Sequence, residues 1–365
     1  MSGESRLWQA LEPFERRAQP LHETVRQMRR AIVFGAGHSG RKVKRYLESA
    51  EVHVVSYCDN DPRKRGERID GLVVLSPEEL GKWDGVPVAI ASDWGRDIAA
   101  QLQQLGRQPY HDLSFCVDLR YEQHFDPHVI FSNRKAIEQA YDLLADRTSR
   151  ETYLSILKYR LSKNPLDLVV SSHKQYWLPQ VRPEKGDGIV DVGAWHGDTA
   201  LDFATGLERA CRIVSFEPAR RNFESLQMAL RKADLTEQVT PVHAGLWCET
   251  TAGWLNTDVQ ELSSRYRISD NGQEPVELVA LDDYLRKHRL RVDLIKVDAE
   301  GAEVEILRGA ATTIAAHKPK LQICVYHEAD HLWKIPQMIA ELNPEYAFYL
   351  AHHSQGILET VLYAS

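Results

Sequence analysis

Acids and histidines close several apolar runs in the second half of this chain, at spacings that suggest chemistry. Asp191-Val192-Gly193-Ala194-Trp195-His196-Gly197-Asp198-Thr199 ends one such run and opens a helical stretch. Gly193 and Gly197 let the backbone approach a ligand closely. The Asp191 carboxylate would repel a pyrophosphate and attract a cationic ligand. Twenty residues beyond Gly197 stands Glu217, in Ser215-Phe216-Glu217-Pro218. An acid at the end of the second strand accepts hydrogen bonds from a ribose diol. With Ala194, Asp198 and Asn222, these positions make up the expected cofactor-binding set. A third block, Lys296-Val297-Asp298-Ala299-Glu300-Gly301-Ala302-Glu303, precedes Tyr326-His327 and Ala351-His352-His353-Ser354. Asp298, His327 and His352 thus end three successive strands, at the edge where open α/β sheets hold ligands. They are the expected catalytic group: a neutral imidazole suits the base that activates a hydroxyl, with Asp298 orienting it or the acceptor. One carboxylate and two imidazoles could equally hold a divalent transition metal.

The elements that must position these residues alternate. Strands are expected at Gly188–Val192, Arg212–Phe216, Val239–Val242, Val292–Val297 and Leu321–Tyr326, with helices after all but the third. Trp254-Leu255 and Val276–Val279 read as an inserted hairpin. Tyr346–Leu350 and Leu358–Tyr363 are joined by a short loop and are therefore antiparallel. Seven strands with the last reversed is the sheet of class I methyltransferases.

The front half holds a second α/β alternation. Gly35-Ala36-Gly37-His38-Ser39-Gly40 follows a strand and precedes a helix, and Asp59 ends the next strand, 19 residues past Gly40. Gly35, Gly37, Gly40 and Asp59 are the dinucleotide fingerprint in its required context. The expected organisation is an amphipathic leader over 1–30, a Rossmann-like nucleotide-binding-type domain over 31–120, a helical connector over 121–180 and a class I methyltransferase domain over 181–365. The 365 residues suit two domains. A net charge of −7 argues against nucleic acid as a partner. No apolar run reaches the ~20 residues of a membrane span. The five cysteines are scattered and never in C-x-x-C, so free buried thiols and the cytoplasm are expected. An oligomer is compatible with everything read here.

The five blocks in this order resemble the FkbM family of methyltransferases: Asp191–Ala194 with Gly197–Thr199, Phe216–Pro218 with Asn222-Phe223, Lys296–Glu303, Tyr326-His327 with Trp333 and Ile335-Pro336, and His352–Ser354 leading into Glu359–Tyr363. The resemblance implies S-adenosylmethionine as cofactor and O-methylation of a sugar, glycan or secondary-metabolite hydroxyl. Ala299 departs from the branched aliphatic usual there. Through the Gly35–Gly40 turn, Asp59-Asn60-Asp61-Pro62 and Gly66, Ile69 and Gly71, the front domain more loosely resembles that of sugar-nucleotide-dependent acyltransferases, which implies a nucleotide or nucleotide-sugar at Gly35–Gly40, while the glycine fingerprint itself would suit NAD. Two other functions stand beside a methyltransferase: a nucleotide-binding module with a non-catalytic methyltransferase-like domain, and an NAD-dependent oxidoreductase.

Overall fold

A computed structural model describes residues 5–117, 119–256, 267–268 and 272–365, which form two compact units. The first runs to Tyr141 and includes Asp146–Ser171 and His352–Glu359. Its elements begin with α1 (Arg6–Glu15), α2 (Leu21–Gln27), β1 (Arg30–Phe34), α3 (His38–Ser49) and β2 (His53–Cys58). There follow β3 (Arg68–Ile69), β4 (Leu72–Leu75), β5 (Val88–Ile90), α4 (Gly95–Gln104) and β6 (Tyr110–Asp112). The sheet order is β3-β4-β2-β1-β5-β6, parallel except for β3 against β4. Ile32, Phe34, Cys58, Val88 and Ile90 pack with Leu102 of α4 as its core. β6 escapes a reading by hydrophobic pattern because its sequence is Tyr-His-Asp.

Residues 121–180 are not a connector. Of the helices there, α5 (Pro127–Ser132), most of α6 (Arg134–Leu143) and α7 (Arg147–Ser162) belong to the first unit, while the segment from Ser172 belongs to the second. The reason lies in α7, which buries Tyr153, Ile156, Leu157, Tyr159 and even Arg160, so it must be covered on several sides. The leader is likewise part of this unit: Leu7, Trp8 and Leu11 of α1 are buried, and α1 packs against α7.

The second unit carries β7 (Gly188–Val192), α8 (Asp198–Gly206), β8 (Arg212–Phe216), α9 (Arg220–Lys232) and β9 (Val239–Val242). A small sheet follows from β10 (Gly245–Leu246), β11 (Thr251–Asn256), β12 (Arg267–Ile268) and β13 (Glu274–Val279). The main sheet resumes through α10 (Leu281–His288), β14 (Leu294–Val297), α11 (Glu303–Gly309), α12 (Ala311–His317), β15 (Lys320–Cys324) and α13 (His331–Leu342). It ends in β16 (Phe348–His352) and β17 (Thr360–Ala364). Its order is β16-β17-β15-β14-β7-β8-β9, with β17 antiparallel to β15. This is the expected seven-stranded arrangement, and β11 with β13 forms the expected inserted hairpin. Register then does the positioning. Val192 is level with both Phe216 and Val297, so Gly193, Glu217 and Asp298 emerge side by side. Among the described residues no helix is long and apolar enough to cross a membrane.

Candidate active site

Gly193 has φ +73°, and a Cβ there would stand 1.8 Å from the Asp298 carbonyl oxygen. Its first constraint is thus the neighbouring strand end, not a ligand. The turn is tied to β8 by the N–H groups of Gly193 and Ala194, both donating to the Phe216 carbonyl. Gly197, at φ +89°, starts α8 where a Cβ would press on Leu226. Asp198 is exposed in the first turn of α8, where the helix dipole favours an acid.

Asp191 does not line the cavity that these ends surround. It is fully buried, with Lys296 Nζ 3.0 Å from one oxygen and the Ser215 hydroxyl donating to the other at 3.2 Å. Burial opposes the charge on Lys296, but Asp191, Asp298 and Asp198 outweigh it and raise its pKa. Lys296 also donates to the carbonyls of Val192 and Gly193. The charge expected to attract a cationic ligand is therefore neutralised inside the sheet, where it holds the turn in place. The signal for this was a lysine in the apolar run Leu294-Ile295-Lys296-Val297.

Glu217 does line a cavity of about 180 Å³, with Trp195, Asn222, Leu246, Asp298 and Glu300 among its other walls. One water takes up roughly 10–15 Å³ on the same measure. Glu217 is 5% exposed. It accepts from the N–H groups of Trp195 (2.9 Å) and Ala219 (3.0 Å) and from the Asn222 amide (3.3 Å). Burial pushes its pKa up to about 7 against these bonds. Trp195 stands in a left-handed conformation (φ +47°) and stacks on His196.

Across the cavity, the Asp298 carboxylate accepts from the Tyr326 hydroxyl on one oxygen (3.1 Å) and from the Tyr176 hydroxyl on the other (3.2 Å). His327 Nε2 lies 3.5 Å from Asp298 and 4.0 Å from Glu300. His327 Nδ1 is 2.7 Å from Glu303, a carboxylate with 0% exposure. Glu303 also accepts from the Ala299 N–H at 2.9 Å and lies 3.3 Å from His331 Nδ1. Burial opposes charge on His327, but Glu303, Glu300 and Asp298 outweigh it and hold its pKa up at about 9. The surrounding carboxylates thus favour the charged ring where a neutral imidazole base was expected. Neither Tyr176 nor Glu303 was expected in the site, because their partners are distant in sequence or set by the fold of the 298–303 turn.

His352 ends β16, is 1% exposed, and burial lowers its pKa to about 3. The metal expectation for Asp298, His327 and His352 finds no support: among the described residues no three His, Cys, Asp or Glu side chains are grouped to hold an ion.

In the first unit, Gly35 and Gly40 are required by packing, since a Cβ would meet the Ala91 and Gly35 carbonyl oxygens at 2.5 and 1.8 Å. Gly37 faces open space. Asp59, expected on a ribose, is committed to the protein: it accepts from the N–H groups of Ala36 and Asp61 and pairs with Lys64 Nζ, each at 2.8 Å. These contacts hold the Gly35–Gly40 turn against the end of β2.

Residues 191–353 match the family described as methyltransferase FkbM domain, and residues 27–111 match that described as C2185-like, N-terminal. No curated protein matches the chain. The crystal structure of methyltransferase FkbM from Methylobacillus flagellatus KT is similar over 99% of both chains, at 20% identity and a TM-score of 0.75. This likeness shows a shared fold. Aeropyrum pernix fibrillarin, solved with natively bound S-adenosyl-L-methionine, is similar over 50% of this chain and 67% of its own, at 13% identity and a TM-score of 0.34. The chain is thus similar to a methyltransferase FkbM domain over residues 191–353 and shares the fold of that crystal structure.

Proposed function

We propose that this chain is an S-adenosylmethionine-dependent O-methyltransferase acting on a hydroxyl of a sugar, glycan or secondary metabolite. The observation that carries the reading is Glu217, a buried carboxylate on the wall of a largely apolar cavity at the ends of β7, β8 and β14. The residues fit the cofactor. Leu246, Leu255 and Phe216 offer an apolar wall for a base, Glu217 with Asn222 suits a ribose diol, and Asp298 and Glu300 suit a nearby cation. When bound, S-adenosylmethionine supplies an electrophilic methyl group.

Asp298 opens to the cavity and takes the proton of the acceptor hydroxyl. The hydroxyls of Tyr176 and Tyr326 fix the carboxylate plane, and the His327 imidazolium fixes its edge. His327 cannot itself be the base while it carries its proton.

The test is titration calorimetry with S-adenosylhomocysteine. Glu217→Ala removes the acceptor of two hydroxyls and should cost about 1.5–3 kcal/mol, so binding weakens by about tenfold or more. Unchanged binding removes Glu217 from the site. The wild type should also show a pH dependence. A diol needs the ionised carboxylate, so affinity is level above about pH 7 and falls by about tenfold per unit below it. Glu217→Gln should bind weakly and with no such slope. A wild-type affinity independent of pH between 5 and 8 would count against the assignment.

A further inference from the structure

We propose that the first unit binds a phosphate group in a groove between the leader helices, the start of β6 and the end of α7. The groove has a volume of about 700 Å³ and is walled by Phe14, Arg17, Tyr110, His111, Lys163 and Asn164, among others. None of these residues belongs to the site described above.

Lys163 is the central observation. It is 2% exposed and caps α7 in the left-handed region, at φ +60°, which few lysines adopt. Its ammonium has three donors. One goes to the Gln19 carbonyl at 2.7 Å. Among the described residues no carboxylate lies within ion-pair distance of it. A buried ammonium is costly unless an anion and further acceptors accompany it. Beside it, His111 Nδ1 is buried without a hydrogen-bond partner. Burial, and then the charge of Lys163, lowers the His111 pKa to about 4, so the ring is neutral and offers one N–H. Burial also lowers Lys163 to about 8, against a weaker pull from Asp126. Arg17 adds an exposed guanidinium on the rim. The one carboxylate on the wall, Asp167, already accepts from the Ser162 hydroxyl at 2.5 Å. Lys163, His111 and Arg17 all line the groove, and an ammonium, a neutral N–H and a guanidinium fork together match the oxygens of a phosphate. Free phosphate and a phosphomonoester share this chemistry.

The test measures Tm of the full chain against inorganic phosphate, glucose 6-phosphate and chloride at matched ionic strength. A saturable rise with phosphate, absent with chloride, is expected. A stronger response to glucose 6-phosphate assigns the groove to a phosphomonoester, and a stronger one to inorganic phosphate assigns it to the free ion. Lys163→Met should weaken the response by about tenfold or more, and Arg17→Gln less, since it stands on the rim. Both should bind S-adenosylhomocysteine as the wild type does, which reports an intact second unit. Equal responses to phosphate and chloride overturn the proposal. So does an unchanged phosphate response in Lys163→Met. If Lys163→Met does not fold, Arg17→Gln and His111→Asn decide, and unaltered phosphate binding in both overturns it.

Discussion

Asp298→Asn is expected to lower kcat by about 10²- to 10⁴-fold, the range that general bases contribute. The substitution keeps the shape of the side chain and an oxygen for one of the two tyrosine hydroxyls, but it removes the proton acceptor. S-Adenosylhomocysteine affinity should change little, because Glu217 and Asn222 lie on the far wall. Tyr326→Phe removes one orienting bond of 3.1 Å and should cost about 1 kcal/mol, a several-fold loss. Steady-state kinetics with an acceptor, beside calorimetry with S-adenosylhomocysteine, separate the two steps. A kcat within threefold of wild type in Asp298→Asn would move the base elsewhere, with Glu300 next in position.

Glu303→Gln is expected to cost roughly 3–5 kcal/mol of stability, the usual loss when one partner of a buried ion pair is removed. The carboxylate holds His327 Nδ1 at 2.7 Å and the Ala299 N–H at 2.9 Å, so both the imidazolium and the turn carrying Asp298 depend on it. The same pair sets a pH dependence. The folded pKa of His327, about 9, lies above its ordinary 6.5. Its contribution is therefore fully present below about pH 6.5 and is lost as pH rises through 9, by about 3 kcal/mol in all. Wild-type Tm should fall across that window. Glu303→Gln should start lower and fall less, because the glutamine no longer favours the charged ring. Histidine resonances in NMR give a direct reading: His327 should titrate near 9 in the wild type and well below it in the variant. Equal Tm profiles, with His327 titrating near 6.5 in both, would show that the pair is not ionic.

The ends of β7, β8 and β14 were legible as mostly apolar runs closing near Asp191, Glu217 and Asp298, because a parallel strand buried on both faces is mostly apolar. Glu217 and Asp298 were placed at strand ends that way. What Asp191 faces was not legible: a carboxylate at a strand end looks the same whether it faces a ligand or a buried lysine. Lys296 decides between them, and only strand pairing puts it beside Asp191.

The sequence by itself determined the α/β alternation, the reversed last strand, the inserted hairpin and the acid that follows the second strand of the second half. All of these follow from hydrophobic period and from the residue that ends each run, which are local properties. The tertiary structure decided what each charge faces. The raised pKa of His327, the pairing of Asp191 with Lys296 and that of Asp59 with Lys64 each arise between groups whose separation is set by the fold. Over such distances burial and a charge a few ångströms away outweigh the intrinsic pKa of a side chain. The amino-acid order lists the ionisable groups, but the packing of the strands and the 298–303 turn assigns their charges.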